Sequence, residues 1–178
     1  MEPKNPLNKI VHDYEKLSRL TNALKELDHR IVVTIGSWDL LHIGHLRYLI
    51  KAKEYGDTLV VGVDSDRAIK LYKDELRPIV PAIERTEMLS YQSCVDYITL
   101  IDDVNDKGKW EYGLIKTIRP HVFIAVEDSY PEKQLQDIRE LCTELVVLPR
   151  QAKNTSTSKM VQDNLKAHLA YFMRQLKD

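Results

Sequence analysis

Cysteine and glycine are scarce in this chain, and each shortage closes off a reading. Among 178 residues there are two cysteines and six glycines. Cys94 and Cys142 stand far apart and match no metal or redox spacing, so free thiols in a reducing compartment are expected. The glycines form neither a Walker loop nor a GxGxxG turn. Apolar runs are too short to span a bilayer. The net charge of -1 gives no attraction toward nucleic acid or a membrane surface. No repeat, low-complexity tract, Ser/His/Asp order or cysteine–histidine pair is visible. Met1-Glu2-Pro3-Lys4 leads into polar residues, so a secretory leader is not expected and a cytoplasmic location is.

What the chain does have is a patterned stretch from Ile31 to Gly56. An apolar run, Ile31 to Ile35, turns at Gly36, passes Asp39, and sets His42 and His45 three apart with Gly44 between them. A helical pattern follows, with Leu46, Leu49 and Ile50 on one face and Gly56 where a helix end favours a left-handed residue. This reads as strand, turn, helix, with both imidazoles at the carboxyl end of a parallel strand, the place where open α/β sheets bind ligands. Histidines in a first helical turn add N–H donors to a terminus that already favours an anion. A phosphate is the natural guest. A pair of surface or metal-binding histidines is the plainer alternative.

The remaining pattern predicts one α/β domain over 1–178, a Rossmann-like open parallel five-stranded sheet with helices on both faces. Residues 1–10 read as an extended arm, since Pro3 and Pro6 discourage a helix. Asp13 can cap a helix to about Leu27 whose buried stripe is Leu17, Leu20, Leu24 and Leu27. Strands are expected at 58–63, 95–101, 121–126 and 145–148. Helices are expected after Asp64-Ser65-Asp66 (carrying Ala68, Ile69 and Leu71), over 82–93, over 110–118 up to Pro120, over 131–142, and over 157–176. Asp96 reads as a strand-entry cap. The arm and first helix (1–30), a core (31–162) and a helical extension (163–178) divide the domain. In the last helix Leu165, Leu169, Phe172 and Leu176 make an apolar face that can close either the domain or a homodimer.

The run Gly36-Ser37-Trp38-Asp39-Leu40-Leu41-His42-Ile43-Gly44-His45 resembles the signature of the cytidylyltransferase-like nucleotidyltransferase superfamily, with Trp38 in place of the more usual phenylalanine. The resemblance covers about residues 9 to 162. Arg77-Pro78-Ile79-Val80-Pro81 with Arg85 matches a second family pattern. Arg150 followed by Ser156-Thr157-Ser158-Lys159-Met160 matches the closing motif, with one more loop residue than in glycerol-phosphate cytidylyltransferases. Lys9-Ile10-Val11 and the phrase VDSDRAIK resemble bacterial heptose-phosphate adenylyltransferase domains. Val126-Glu127-Asp128 departs from the glycine–aspartate pair usual at that strand end.

The resemblance implies transfer of a nucleoside monophosphate from ATP or CTP to a phosphorylated small acceptor, a sugar phosphate or a glycerol-3-phosphate-like polyol, with release of pyrophosphate. It implies His42, His45 and Lys159 as catalytic groups. Ile35, Gly36, Ser37, Trp38, Asp39, Gly44, Arg150, Ser156, Thr157 and Ser158 are then expected around the nucleotide, and Arg85, Lys70, Lys73, Arg77 and Asp128 around the acceptor. Mg²⁺ is expected with the triphosphate, with Asp39 as an indirect partner of its water shell or, equally, a turn cap. Plain alternatives stay open: a surface ion pair for Arg85, a solvated pair for Lys70 and Lys73, an ordinary helix cap for the hydroxyl run. Rival functions are a flavin mononucleotide adenylyltransferase, a non-catalytic nucleotide-binding module of the same fold, and a class I aminoacyl-tRNA synthetase fragment, whose second signature is only faintly echoed by Ser158-Lys159-Met160.

Overall fold

A computed structural model describes residues 5–176. Met1 to Lys4 of the expected arm, and Lys177 and Asp178 of the expected extension, lie outside the described residues. The described arm is a 3-10 turn, Pro6–Lys9, not an extended segment: Asn5 accepts from the Leu7 amide and Pro6 supplies a preset φ. Ile10 then bridges to Ile98, and the Val11 amide donates to the Ile98 carbonyl, so the arm reaches the third strand.

The elements then run α1 (Tyr14–Glu26), β1 (Ile31–Gly36), α2 (Ile43–Lys53), β2 (Thr58–Asp64), α3 (Asp66–Tyr72), α4 (Ala82–Ser90), β3 (Tyr97–Ile101), α5 (Gly113–Ile118), β4 (Val122–Val126), α6 (Glu132–Arg139), β5 (Glu144–Leu148) and α7 (Thr157–Gln175). All strands pair in parallel, in the order β3-β2-β1-β4-β5. The expected architecture therefore stands. β1 is central, and the order reverses between β1 and β4, which opens a crevice at their carboxyl ends.

Strands buried on both faces read as continuous apolar runs, and alternation along β1 and β2 divides them between two cores. Val32, Leu59, Val61 and Val63 pack with Leu49, Ala52 and Leu89 of α2 and α4. Ile31, Val33 and Val60 pack with Leu17, Leu114, Ile115, Ile118 and Ile138 of α1, α5 and α6. Cys94 borders the first core and Cys142 the second, both as free thiols.

Several boundaries move for identifiable reasons. Asp13 caps α1 as expected, but Leu27 lies beyond the helix end and is exposed, as are Ile50 and Leu71 on the outer faces of α2 and α3. Trp110 is held in an antiparallel bridge to Val104, so α5 begins only at Gly113. Asp96 accepts from the Leu59 amide at 2.7 Å and from Lys53 Nζ at 2.6 Å, which ties the starts of β2 and β3.

Gly56 does not adopt the left-handed conformation expected of it. It is required by proximity: a Cβ there would lie 2.5 Å from the Arg30 carbonyl oxygen and 2.7 Å from Val32 Cγ2. Replacing a flexible glycine by alanine in a permissive turn would stabilise by about 0.4–1 kcal/mol. Here overpacking against backbone reverses the sign, and Gly56→Ala should lose about 1–3 kcal/mol. Urea denaturation at neutral pH measures the difference.

Candidate functional site

At the carboxyl end of β1 lies a cavity of about 950 Å³, and its walls carry both histidines together with Ser156, Thr157, Ser158 and Lys159. Residues far apart in the chain thus meet because β1 and β5 both deliver their following loops to one edge of the sheet. Ile35, Gly36, Ser37, Trp38, Gly44, Lys73, Arg77, Asp128 and Arg150 line the same space.

The turn after β1 is shaped by backbone that few side chains adopt. Trp38 and Leu40 both have positive φ, 51° and 46°. Trp38 is anchored by its indole N–H, which donates to the Gly62 carbonyl at 2.8 Å, a bond that a phenylalanine could not make. Its ring meets His45 edge-on at 5.5 Å and Tyr48 at 5.9 Å. Beneath it the Tyr48 hydroxyl joins Thr34 Oγ1 at 2.7 Å and donates to the Ile124 carbonyl at 2.9 Å, pinning α2 across β1 and β4.

His42 caps α2: its Nδ1 accepts from the Gly44 amide at 3.1 Å. That bond places the proton of the neutral ring on Nε2, leaving a donor for a ligand. Gly44 is a glycine because a Cβ would lie 2.9 Å from the His42 ring and 3.0 Å from Ala152 Cβ. The two imidazoles stack, with centroids 3.9 Å apart and planes 19° from parallel. Burial lowers the pKa of His42. His45 is pushed down to about 3, first by burial and then by His42 and Lys73, with Asp39 opposing. Its Nδ1 is buried without a hydrogen-bond partner among the described residues. Both rings are therefore neutral at pH 7 in the free protein.

Opposite them stands the tip of α7. Ser156 Oγ accepts from the Lys159 amide at 3.2 Å, an ordinary cap. Thr157 Oγ1 donates to the Asp39 carbonyl at 2.7 Å, which fastens this tip to the histidine turn. Lys159 Nζ pairs with Asp163 at 2.8 Å on the surface, an exposed contact weak enough to give way to a phosphate. The Arg150 amide donates to Glu127 Oε1 at 2.8 Å. Glu127 thus ties the strand end of β4 to the loop after β5, and Asp128 takes the left-handed turn position at φ 63°. The departure from glycine at Val126-Glu127-Asp128 is accommodated by these two acids.

Three sequence expectations are corrected. Asp39 is fully buried and does not line the cavity. Its carboxylate accepts from Arg77 Nε at 2.7 Å and from the Ile79 and Val80 amides at 3.1 and 3.0 Å, so no oxygen is left for a nucleotide or a metal's water. Burial raises its pKa, but the two amides and Arg77 outweigh that and hold it below the usual carboxylate range. Arg85 is fully buried rather than a phosphate fork. It donates to the carbonyls of Ser37, Val80 and Asp64 and to the Asp66 carboxylate, locking α3 and α4 to the turn. Lys70 is exposed and lies outside the cavity wall. Lys73 is within it: its Nζ donates to Ser37 Oγ at 2.8 Å, and burial with Arg77 nearby lowers its pKa.

The wall also includes Asp64, Tyr72, Trp110 and Tyr130, which belong to none of the sequence motifs. Asp64 was legible in principle, as the last residue of β2 at the same sheet edge; the aromatic groups were not, because they arrive from helices and loops. Among the described residues no group of three or more His, Cys, Asp or Glu is arranged to hold a metal ion, and no helix is long and apolar enough to cross a membrane.

The model of a family described as cytidylyltransferase-like matches residues 33–171. A bifunctional protein HldE from Aliarcobacter butzleri is 34% identical over 167 residues, 93% of this chain and 34% of that protein. The HldE of Geobacter metallireducens is 33% identical over 159 residues, 89% of this chain and 31% of its own. The chain spans about a third of the length of these relatives. Among solved structures, a lipopolysaccharide core biosynthesis protein from Thermoplasma volcanium superposes with a TM-score of 0.57 at 27% identity, covering 68% of this chain and 98% of that one. Pantoate-beta-alanine ligase from Francisella tularensis shares the fold at 15% identity, with a TM-score of 0.55 over 79% of this chain and 66% of its own.

Two outcomes follow from the geometry. Arg85→Ala should cost about 3–5 kcal/mol, since it empties a fully buried side-chain site and leaves three carbonyls without their donor, whereas Lys70→Ala should leave the melting temperature unchanged; thermal melts compare them. The unfolded chain takes up a proton at His45 near pH 6.5, which the native ring refuses until about pH 3. That contribution to stability is complete above pH 6.5 and fades as pH falls toward 3. His45→Gln should therefore lose less melting temperature between pH 7 and 4.5 than the unaltered protein.

Proposed function

The chain belongs to the cytidylyltransferase-like family, and from that premise we propose that it transfers a nucleoside monophosphate from ATP or CTP to a phosphorylated sugar or polyol, releasing pyrophosphate. The observation that carries this reading is the single cavity on which His42 and His45 face the hydroxyl-rich tip of α7.

The chemistry is an in-line displacement. An oxygen of the acceptor phosphate attacks the α-phosphorus, the new P–O bond forms, and the bond to the β-phosphate oxygen breaks so that pyrophosphate departs with the electron pair. The chain's task is to hold two anions together and to offset charge as it moves. His42 Nε2–H donates to the triphosphate, and His45 stands against the same group. The Ser156–Lys159 tip receives the departing end through helix amides and hydroxyls, with Lys159 released from Asp163. Ile35 to Trp38, Gly44 and Arg150 surround the nucleotide; Lys73, Arg77 and Asp128 face the acceptor. Mg²⁺ would accompany the triphosphate and would neutralise part of its charge. It would be held by phosphate oxygens and water, which suits an ion that dehydrates reluctantly.

A sugar-phosphate acceptor is supported by the Lys9-Ile10-Val11 and VDSDRAIK phrases and by the likeness to the lipopolysaccharide core biosynthesis protein. The reading includes a homodimer and a cytoplasmic location. Pyrophosphate release should appear with one pairing of nucleotide and acceptor when ATP and CTP are each tried with Mg²⁺ against sugar phosphates and glycerol phosphate. With that pair, His42→Ala and His45→Ala should each lower kcat by about 10²–10³. Nucleotide binding with no pyrophosphate from any acceptor would replace this reading by that of a non-catalytic nucleotide-binding module.

A further inference from the structure

The last helix raises a physical problem. Every residue from Gln162 to Leu176 is exposed, so the body of the protein holds α7 only by its first turns. A helix of this length standing free in water is marginal. It is also strongly one-sided. Leu165, Leu169, Phe172 and Leu176 follow one another at spacings of four, three and four, with Met173 alongside, and they are 54% to 87% exposed. The Lys159–Asp163 ion pair lies on the opposite face. The apolar face does not close the domain, so the first of the two roles open from the sequence is excluded.

We propose that a second copy of this chain covers the face, α7 against α7 in antiparallel order, and that this pairing is thermodynamically linked to triphosphate binding. Two observations favour a copy over an unlike partner. The four-three-four spacing reads the same in both directions, so a two-fold axis between Leu169 and Phe172 sets Leu165 against Leu176 of the partner subunit and Leu169 against Phe172 of the partner subunit. Such self-complementarity is what a two-fold interface needs. Among the described residues no carboxylate lies on the seam, and Lys166 only flanks it beside Met173; a charge on the seam would oppose its own copy across the axis.

The linkage follows from the other end of the same helix. Ser156 to Lys159 form its first turn and a wall of the cavity, and Thr157 is its tether to Asp39. A partner that holds the outer turns raises the helicity of the inner one, because helix formation is cooperative. Whatever tightens the first turn favours the triphosphate, and by reciprocity the triphosphate favours pairing. The nucleotide arm of this inference rests on the transfer reaction proposed above; the pairing arm deepens the homodimer of that reading and is tested apart from the reaction.

Sedimentation equilibrium of the full chain, with and without ATP or CTP, tests both. The unaltered protein should sediment as a dimer at low micromolar concentration. Leu169→Lys combined with Phe172→Lys should sediment as a folded monomer and bind nucleotide about 5–10-fold more weakly. At saturating nucleotide the dissociation constant of the dimer should fall by the square of that factor, about 25–100-fold, because each dimer carries two sites. A monomer at all concentrations, a double variant that remains dimeric, or a monomeric variant with unchanged nucleotide affinity would each overturn the proposal. If the unaltered protein binds neither nucleotide, the functional reading falls, while sedimentation alone still decides the pairing.

Discussion

One buried carboxylate registers the halves of this site. Asp39 accepts from Arg77 and from two consecutive amides of the proline-rich loop, and its own carbonyl receives the Thr157 hydroxyl. Through these bonds it fixes the Arg77–Val80 loop, the histidine turn and the tip of α7 relative to one another. A buried anion is tolerable only when its lone pairs are taken, and here they are. Because the bonds run to main chain as well as to Arg77, the arrangement cannot drift in one segment without unmaking a bond in another.

The cavity's electrostatics are quieter than its residue list suggests. Arg85 is spent on carbonyls and Asp66, Arg77 on Asp39, and Lys159 rests on Asp163. The imidazoles are neutral. The free protein therefore offers dipoles and mobile cations in place of a dense field of fixed charge. Lys159 becomes available by exchanging one exposed ion pair for another. The negative field of a polyanion would in turn favour protonation of the imidazoles, so charge can be matched as it arrives.

Much of this was legible in the sequence. The continuous apolar runs at Ile31 to Ile35 and Thr58 to Val63 specified strands buried on both faces, and the turn chemistry at Asp13, Ser65 and Pro81 marked the helix starts. The juxtaposition of His42 and His45 with Ser156 to Lys159 followed from the parallel order of strands. Arg85 and Asp39 were misread because a motif shows which residue types occur and not which way they face. An arginine four residues into a helix can reach outward to a phosphate or inward to carbonyls, and only the packing of α3 against α4 decides. Gly56 was assigned to a turn for its flexibility, yet it is needed for its lack of a Cβ against Arg30, a neighbour from before β1.

Both tryptophans of the chain, Trp38 and Trp110, stand on the cavity wall. Indole emission from this protein thus originates entirely at the cavity edge of the sheet. Trp38 lies 5.5 Å from an imidazole that is neutral when the cavity is empty, and a protonated imidazole is an efficient quencher of a neighbouring indole. The chain carries, without any label, an optical readout of the protonation and filling of its own pocket.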